Sequence, residues 1–309
     1  MTLAIEQLFG DHRRFLWSLS YRMTGNAADA DDVVQDTFVR MMERPPARTG
    51  ESLRPWLVRV ALNLSRDLLR RRKRREYVGP WLPSPIPTDE ESAPPSHEPV
   101  VGGRTLEDRY DLLESVSLAF LIALEQLTPT QRAVLLLREV FDYSVTETAE
   151  ALDLTDANVK TTHHRARKAM TAYNSARVPP TAPVQDASRA ALFEFLRRLD
   201  ASDVAGVEAL LARDVKTTTD GGGEFRSALR TIAGRDKVAR FYVAIAHVGQ
   251  GVTVRPLMLN GLPAVLIEVA SAPERVALRS VMQAQLDRDG KISHIYVVSA
   301  TPKLAALAA

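Results

Sequence analysis

The chain contains no cysteine in 309 residues. That excludes disulfides, zinc–thiolate sites and iron–sulfur clusters, and it fits a reducing, cytoplasmic compartment. No apolar run approaches the roughly 18 residues needed to span a membrane. The start, "MTLAIEQLFGDHRRFLW", lacks the basic-then-apolar order of a signal peptide. No membrane partner is therefore expected. Net charge is also nearly absent: 40 basic against 38 acidic side chains leave +2, so bulk charge is silent about polyanions. There is no internal repeat. The glycine run in "TTTDGGGEF" (217–225) lacks the following Lys-Ser/Thr of a phosphate-binding loop. No metal or cofactor is implied. The length suits about two or three domains.

Charge is distributed unevenly instead. "RDLLRRRKRRE" (66–76) is densely basic, and the stretch after it, through Glu114, is acidic. Residues 1–75 read as helices. In "ADDVVQDTFVRMM", Val34, Phe38 and Met41 form one stripe at helical spacing, and Asp31, Asp32, Gln35 and Asp36 lie largely off it. "ERPPARTGES" (43–52) reads as a loop. Ser52 is placed to cap the next helix, Pro55 suits a first turn, and Trp56, Val60, Leu64 and Leu68 form that helix's apolar stripe. The Pro-rich, acidic segment 77–105 reads as a linker. Helical pattern resumes over 106–178. After a short second linker, residues 184–309 read as α+β: three helices, then strands. Asn260-Gly261 and Asp289-Gly290 mark tight hairpins, since both dipeptides tolerate positive φ.

The strongest local signal is "SVTETAEALDLTDANVKTTHHRARKAM" (144–170). It reads as helix-turn-helix: Ala149 is small at a helix crossing, and Asp153 occupies the turn position usually given to glycine, which Asp tolerates better than most residues. With Val159, Ala166 and Met170 inward, Asn158, Thr161, His164, Arg165 and Lys168 face outward, with Lys160 and Arg167 at the flank. These donors suit base edges and phosphates of a major groove. A solvated basic face is the plainer alternative. His163 and His164 diverge by roughly 100° on a helix and do not chelate together.

The segments "YRMTGNAADADDVVQDTFVRMM", "RPWLVRVALNLSRDLLRRRKR" and "LTPTQRAVLLLREVFDYSVTETAEAL…NVKTTHHRARKAM" together resemble regions σ2 (1–76) and σ4 (106–178) of the extracytoplasmic-function (ECF) sigma factors. The motifs "YVGPWLPSP", "DGGG", "LNGLPAVLIEV" and "SATPKL" resemble the SigJ-like group within that family, which carries a fused SnoaL-like domain, here 184–309. The resemblance implies all-α σ2 and σ4 domains, the latter a helix-turn-helix, followed by an α+β NTF2-like cone.

It further implies a non-enzymatic promoter-specificity subunit that binds core RNA polymerase, at the β′ clamp and β flap, and promoter DNA. Asp31, Asp32, Gln35, Asp36 and Phe38 would meet the clamp, with carboxylates and an exposed aromatic suiting a basic helical partner. Arg48, Asn63, Arg66, Arg70, Arg71 and Arg72 would line the melted −10 strand. Asn158, Lys160, Thr161, His164, Arg165, Arg167 and Lys168 would read the −35 duplex.

The cone could alternatively hold a small ligand or an acid–base site, with Tyr242, His247, Arg279, His294 and Tyr296 as candidates. The glycine run is expected to dock the C-terminal domain on the linker as a regulator in cis. Tyr77 and Trp81 would meet Asp220, Gly221, Gly222 and Gly223, with Asp220 pairing a basic residue or holding an Asx turn. An internal turn of the cone is the alternative.

Overall fold

The computed structural model describes residues 2–45, 52–74, 77–88 and 111–307. They fall into two compact units: Met1–Glu76 with Ala93–Ser175, and Tyr77–Ser92 with Ala176–Ala309.

The first unit is helical: α1 Thr2–Thr24, α2 Ala27–Glu43, α3 Arg54–Arg74, α4 Leu118–Leu124, α5 Pro129–Glu139, α6 Val145–Leu152, α7 Asp156–Ala169 and α8 Thr171–Ala176. Asn26 starts α2, its side chain accepting from the amides of Ala28 and Asp29. The α2 stripe Val34, Phe38, Met41 is buried, as its spacing predicts. The α3 stripe is displaced. Leu57, Val58, Ala61, Leu62, Leu64 and Leu69 are buried, whereas Trp56, Val60 and Leu68 are half-buried. Helix α3 packs on α1 and α2 along one side and on α5 and α6 along another, so its buried arc is wider than a single stripe. Two buried arginines stitch the halves of the unit together. Arg22 donates to Ser115 Oγ at 2.9 and 2.8 Å. Arg132 donates to the carbonyls of Met23 (2.7 Å) and Leu124 (2.8 Å). The α6–α7 turn has the expected form: Asp153 takes φ 56°, ψ 51°, and Val159, Ala166 and Met170 point inward.

The second unit contains α9 (Ala182–Asp200), α10 (Val204–Leu210), β1 (Leu211–Asp220), β2 (Ile232–Ala233), α11 (Arg235–Ile245), β3 (Gln250–Leu259), β4 (Leu262–Ser271), β5 (Arg279–Leu286), β6 (Ile292–Val298) and α12 (Thr301–Leu304). One six-stranded sheet runs β2-β1-β6-β5-β4-β3, with β1 and β6 parallel and the other pairs antiparallel. The helices cover one face, where Val265, Met282 and Ile295 join Leu192, Phe195 and Tyr242 in the core. This is the α+β cone.

Asn260 (φ 51°) and Gly261 (φ 80°) make the expected two-residue turn. The second hairpin differs. Only Gly290 has positive φ there, and the loop spans residues 287–291, because Asp287 Oδ1 accepts from the amides of Asp289 (3.0 Å) and Lys291 (2.9 Å). Strand β1 is a further difference, since "TTTD" carries no apolar alternation. Its threonines are buried because their hydroxyls are paired: Thr217 with Tyr242 (2.6 Å) and the Ile295 carbonyl (3.1 Å), Thr218 with His294 Nε2 (2.9 Å).

Burial, and secondarily Lys216, push the His294 imidazole down to about 4 from its ordinary 6.5. As pH falls, the unfolded chain takes up this proton first. The associated stability is present above pH 6.5 and is lost between there and about 4. The unfolding midpoint of the second unit should fall between about pH 7 and about pH 5, and His294→Gln should flatten that slope. An identical slope in the variant would assign the loss to other groups.

Candidate functional site

On α2, Asp31, Asp32, Gln35 and Asp36 are exposed along one side. Phe38 is not: it is 5% exposed and meets Phe9 edge-to-face at 4.9 Å. The expected exposed aromatic is thereby corrected. At position 38 the helix faces inward, on the arc set by Val34 and Met41. The apolar part of the acidic face is Val39 (42% exposed) and Met42 (55%), one and two turns beyond Asp36.

Of the basic set, Arg48 lies outside the described residues. Asn63, Arg70 and Arg71 are exposed on α3, with Arg70 against Asp67 at 3.0 Å. Arg66 and Arg72 are engaged by other helices of the unit. Arg66 donates to Thr130 Oγ1 (3.1 Å). Arg72 donates to the Thr24 carbonyl (2.6 Å) and to Glu125 Oε1 (2.7 Å). The same Glu125 oxygen accepts from Arg132 at 2.9 Å. Burial, then the neighbouring Arg70, lower the pKa of Arg66, so positive charge is crowded on this face. On α7, Asn158, Lys160, Thr161, His164, Arg165, Arg167 and Lys168 are all exposed. Arg167 is drawn aside toward Glu139 of α5 (3.4 Å), which also holds His163 (2.9 Å).

In the second unit, the segment from Tyr77 to Thr88 is built into the domain. Leu82, Pro83, Ser84, Pro85 and Ile86 are buried. Asp220, at the end of β1, accepts from Tyr77 OH (2.6 Å), the Leu82 amide (2.7 Å), the Gly222 amide (3.0 Å) and Lys303 Nζ (2.5 Å). Lys303 of α12 also donates to the Leu82 carbonyl (2.6 Å) and sits over the rings of Tyr77 (4.8 Å) and Trp81 (4.5 Å). Asp220 therefore makes both the Asx contact and a charge pair, although its cation is a lysine from the chain's end. The glycines divide their roles. A side chain on Gly223 (φ 77°) would meet Val78, one on Gly222 (φ 62°) would meet Ala300, and one on Gly221 would meet Phe225 and Ser227. A second anchor holds Ile86–Thr88: Thr88 donates to the Met258 carbonyl (2.9 Å), and Asn260 exchanges bonds with Ile86. Lys303 and Glu125 were not singled out from sequence, and Asn260 was read only as a hairpin residue. Only "ATPKL" gave a motif-level signal for the lysine.

Residues 8–75 match Sigma-70 region 2 and residues 117–170 match Sigma-70 region 4. The ECF RNA polymerase sigma factor SigJ of Mycobacterium tuberculosis is 32% identical over 237 residues, covering 76% of this chain and 71% of that protein. The chain belongs to the ECF sigma factors. A second relative, the ECF RNA polymerase sigma factor SigG of the same organism, is 34% identical over 215 residues, covering 62% of this chain and 55% of its own. The crystal structure of M. tuberculosis SigJ superposes with a TM-score of 0.70 at 25% identity, covering 97% of this chain and 98% of that one. As a sigma factor the chain is a non-enzymatic initiation subunit.

The candidate acid–base residues of the sigma factor's cone do not converge. Tyr242 is buried among the helices on Thr217. His294 and Tyr296 stack on each other at 4.1 Å and, by strand alternation from Ile295, point to the opposite face. His247 meets Ser202 (3.2 Å), and Arg279 reaches the Leu307 carbonyl. No helix among the described residues is long and apolar enough to cross a membrane.

Lys303→Met leaves Asp220 buried without its cation. Removing one partner of such a pair costs about 3–5 kcal/mol. The variant should lower the unfolding midpoint of the second unit and open Tyr77–Thr88 to limited proteolysis. Asp220→Asn added to it should cost less than the sum of the two changes. A Lys303→Met segment as protease-resistant as wild type would remove the pair from the anchoring role.

Proposed function

We propose that this sigma factor docks on core RNA polymerase through the Asp32–Asp36–Val39–Met42 face of α2, captures the melted −10 strand with α3, and reads the −35 duplex with α7, all in the cytoplasm where polymerase works. The domain limits follow the sequence reading (1–76, 106–178 and 184–309), with 77–88 acting as part of the last. The C-terminal unit regulates in cis by holding that segment. The observation that carries the reading is the pairing of an acidic–apolar face on α2 with a donor-lined face on α7, on two modules in the order the family requires. Carboxylates around an apolar centre suit a basic helical partner. Lysine, arginine, threonine and asparagine at the exposed positions of α7 suit phosphates and base edges.

Co-purification tests the first surface. Asp32→Lys with Asp36→Lys changes exposed side chains only, so the fold survives. Affinity for core polymerase should drop by about tenfold or more, which is about 1.4 kcal/mol. Undiminished binding by that variant would argue against α2 as the docking face.

Strand capture needs Arg66 and Arg72, and both are engaged by groups of the same unit. Glu125 therefore competes with the DNA backbone for Arg72. Glu125→Gln should raise affinity for a single-stranded −10 oligonucleotide severalfold at low salt, with the advantage shrinking as salt rises. Equal affinities at every salt concentration would exclude the competition.

A further inference from the structure

We propose that the free edge of β3 pairs with the same edge of a second copy of this chain, joining two six-stranded sheets into one. This goes beyond promoter recognition and rests on a different part of the molecule.

Strand β3 ends the sheet, with β4 as its ladder partner. The two-residue turn at Asn260-Gly261 makes Leu259 and Leu262 a hydrogen-bonded pair. Odd-numbered residues of β3 therefore bond to β4, and Val252, Val254, Pro256 and Met258 turn their backbone groups outward. The Thr88 amide on the Met258 carbonyl, at 2.9 Å, follows this phase and closes that end. Among the described residues, nothing pairs with the edge from Gln250 to Pro256.

Open edges are ordinarily blunted by charge, proline or a bulge. Here the blunting is light: Arg255 is the one charged residue between Gln250 and Leu259, and the one proline, Pro256, stands at the end of the open stretch. Val252 is 49% exposed and Val254 42%. Their cross-strand partners Val269 and Ile267 put both valines on the helix-covered side of the sheet. Phe193 is exposed on α9, one turn beyond Arg189, whose guanidinium reaches Met258 Sδ at 3.9 Å. Ile245 and Val248, just before β3, are exposed as well. An apolar strip thus borders a row of backbone groups that have no partner among the described residues.

The row complements itself. A twofold axis at Thr253 sets Val252 opposite the partner's Val254, each donating to and accepting from the other. Arg255 then faces the partner's Gly251, so like charges do not meet. The N–H that Pro256 lacks falls opposite the partner's Gln250, at the end of the seam. Gly251, at φ 63°, ends the regular strand there. Centring the pair on Val254 instead would put the partner's Pro256 opposite Val252 and lose a donor in the middle. Antiparallel pairing keeps the same faces together, so the apolar strips of both copies lie on one side of the joined sheet. A charged peptide would find no opposing charged row on this edge, which favours a second copy as occupant.

Sedimentation equilibrium of the full chain tests this. Val254→Pro removes an outward N–H and leaves the β3–β4 ladder intact. Val252→Lys with Val254→Lys blunts the edge by charge. The wild type should form dimers in a concentration-dependent way, and both variants should be monomers with the wild-type circular dichroism spectrum. Should Val254→Pro misfold, the lysine variant carries the test. A wild type that stays monomeric, or dimers that survive the folded lysine variant, would overturn the proposal. So would slow hydrogen exchange at the Val252 and Val254 amides in a monomer, because another segment would then cover the edge.

Discussion

Asp220 and Lys303 form an ion pair that is 0% and 5% exposed, and the second unit is organised around it. Burying two charges is costly, and their mutual attraction repays the cost only when the remaining lone pairs and protons are also satisfied. That condition is met here by residues from distant parts of the chain: Tyr77 and the Leu82 backbone before the second half of the sequence, Gly222 after β1, and the ring of Trp81 over the ammonium. Removing any one contributor leaves a buried charge short of a partner. The pair is thus better understood as fixing where Tyr77–Thr88 lies on the sheet than as a source of net stability.

The glycines follow from that placement. For Asp220 to face Tyr77 and Lys303 together, the chain must turn immediately after β1. Gly222 and Gly223 both take positive φ, with Val78 close to one and Ala300 close to the other. A Cβ there would be strained by its backbone and crowded by its neighbours. The prolines at 83, 85 and 87 restrict the segment before it docks, which reduces the entropy lost in ordering it. A stretch whose composition signals a linker is in this way a structural part of the C-terminal unit.

Elements whose signals are local were legible in the sequence. The α2 stripe, the αL turn at Asp153 and the Asn260-Gly261 hairpin each depend on a few neighbouring residues. What escaped depends on partners far along the chain. Strand β1 is buried because Tyr242 and Ile295 satisfy Thr217. Phe38 lost its expected exposure to Phe9, from another helix. Arg66 and Arg72 read as strand-binding by type and position, but Thr130 and Glu125 that engage them lie 64 and 53 residues on. Lys303 shows the limit most plainly, since a lysine near the end of a chain is usually solvated.

The contacts within the first unit differ sharply in how easily they yield. Arg72–Glu125 is partly exposed, and pairs of that kind contribute about 0–1 kcal/mol, so a phosphate can displace the carboxylate at little cost. Arg132 is different. It is buried on the carbonyl of Met23, and Arg72 takes the next carbonyl, that of Thr24. Together they cap the C-terminus of α1, where cations are favoured. Pulling Arg132 away would strand a buried guanidinium and a carbonyl, a penalty of about 1–3 kcal/mol or more for such groups. Arg22 on Ser115 adds a second buried contact of the same type. Within the proposed function, single-stranded DNA can therefore win Arg72 without separating the two halves of the unit. Separating them requires a partner that binds both modules and supplies more free energy than these buried contacts hold, and within the proposed function core polymerase is that partner.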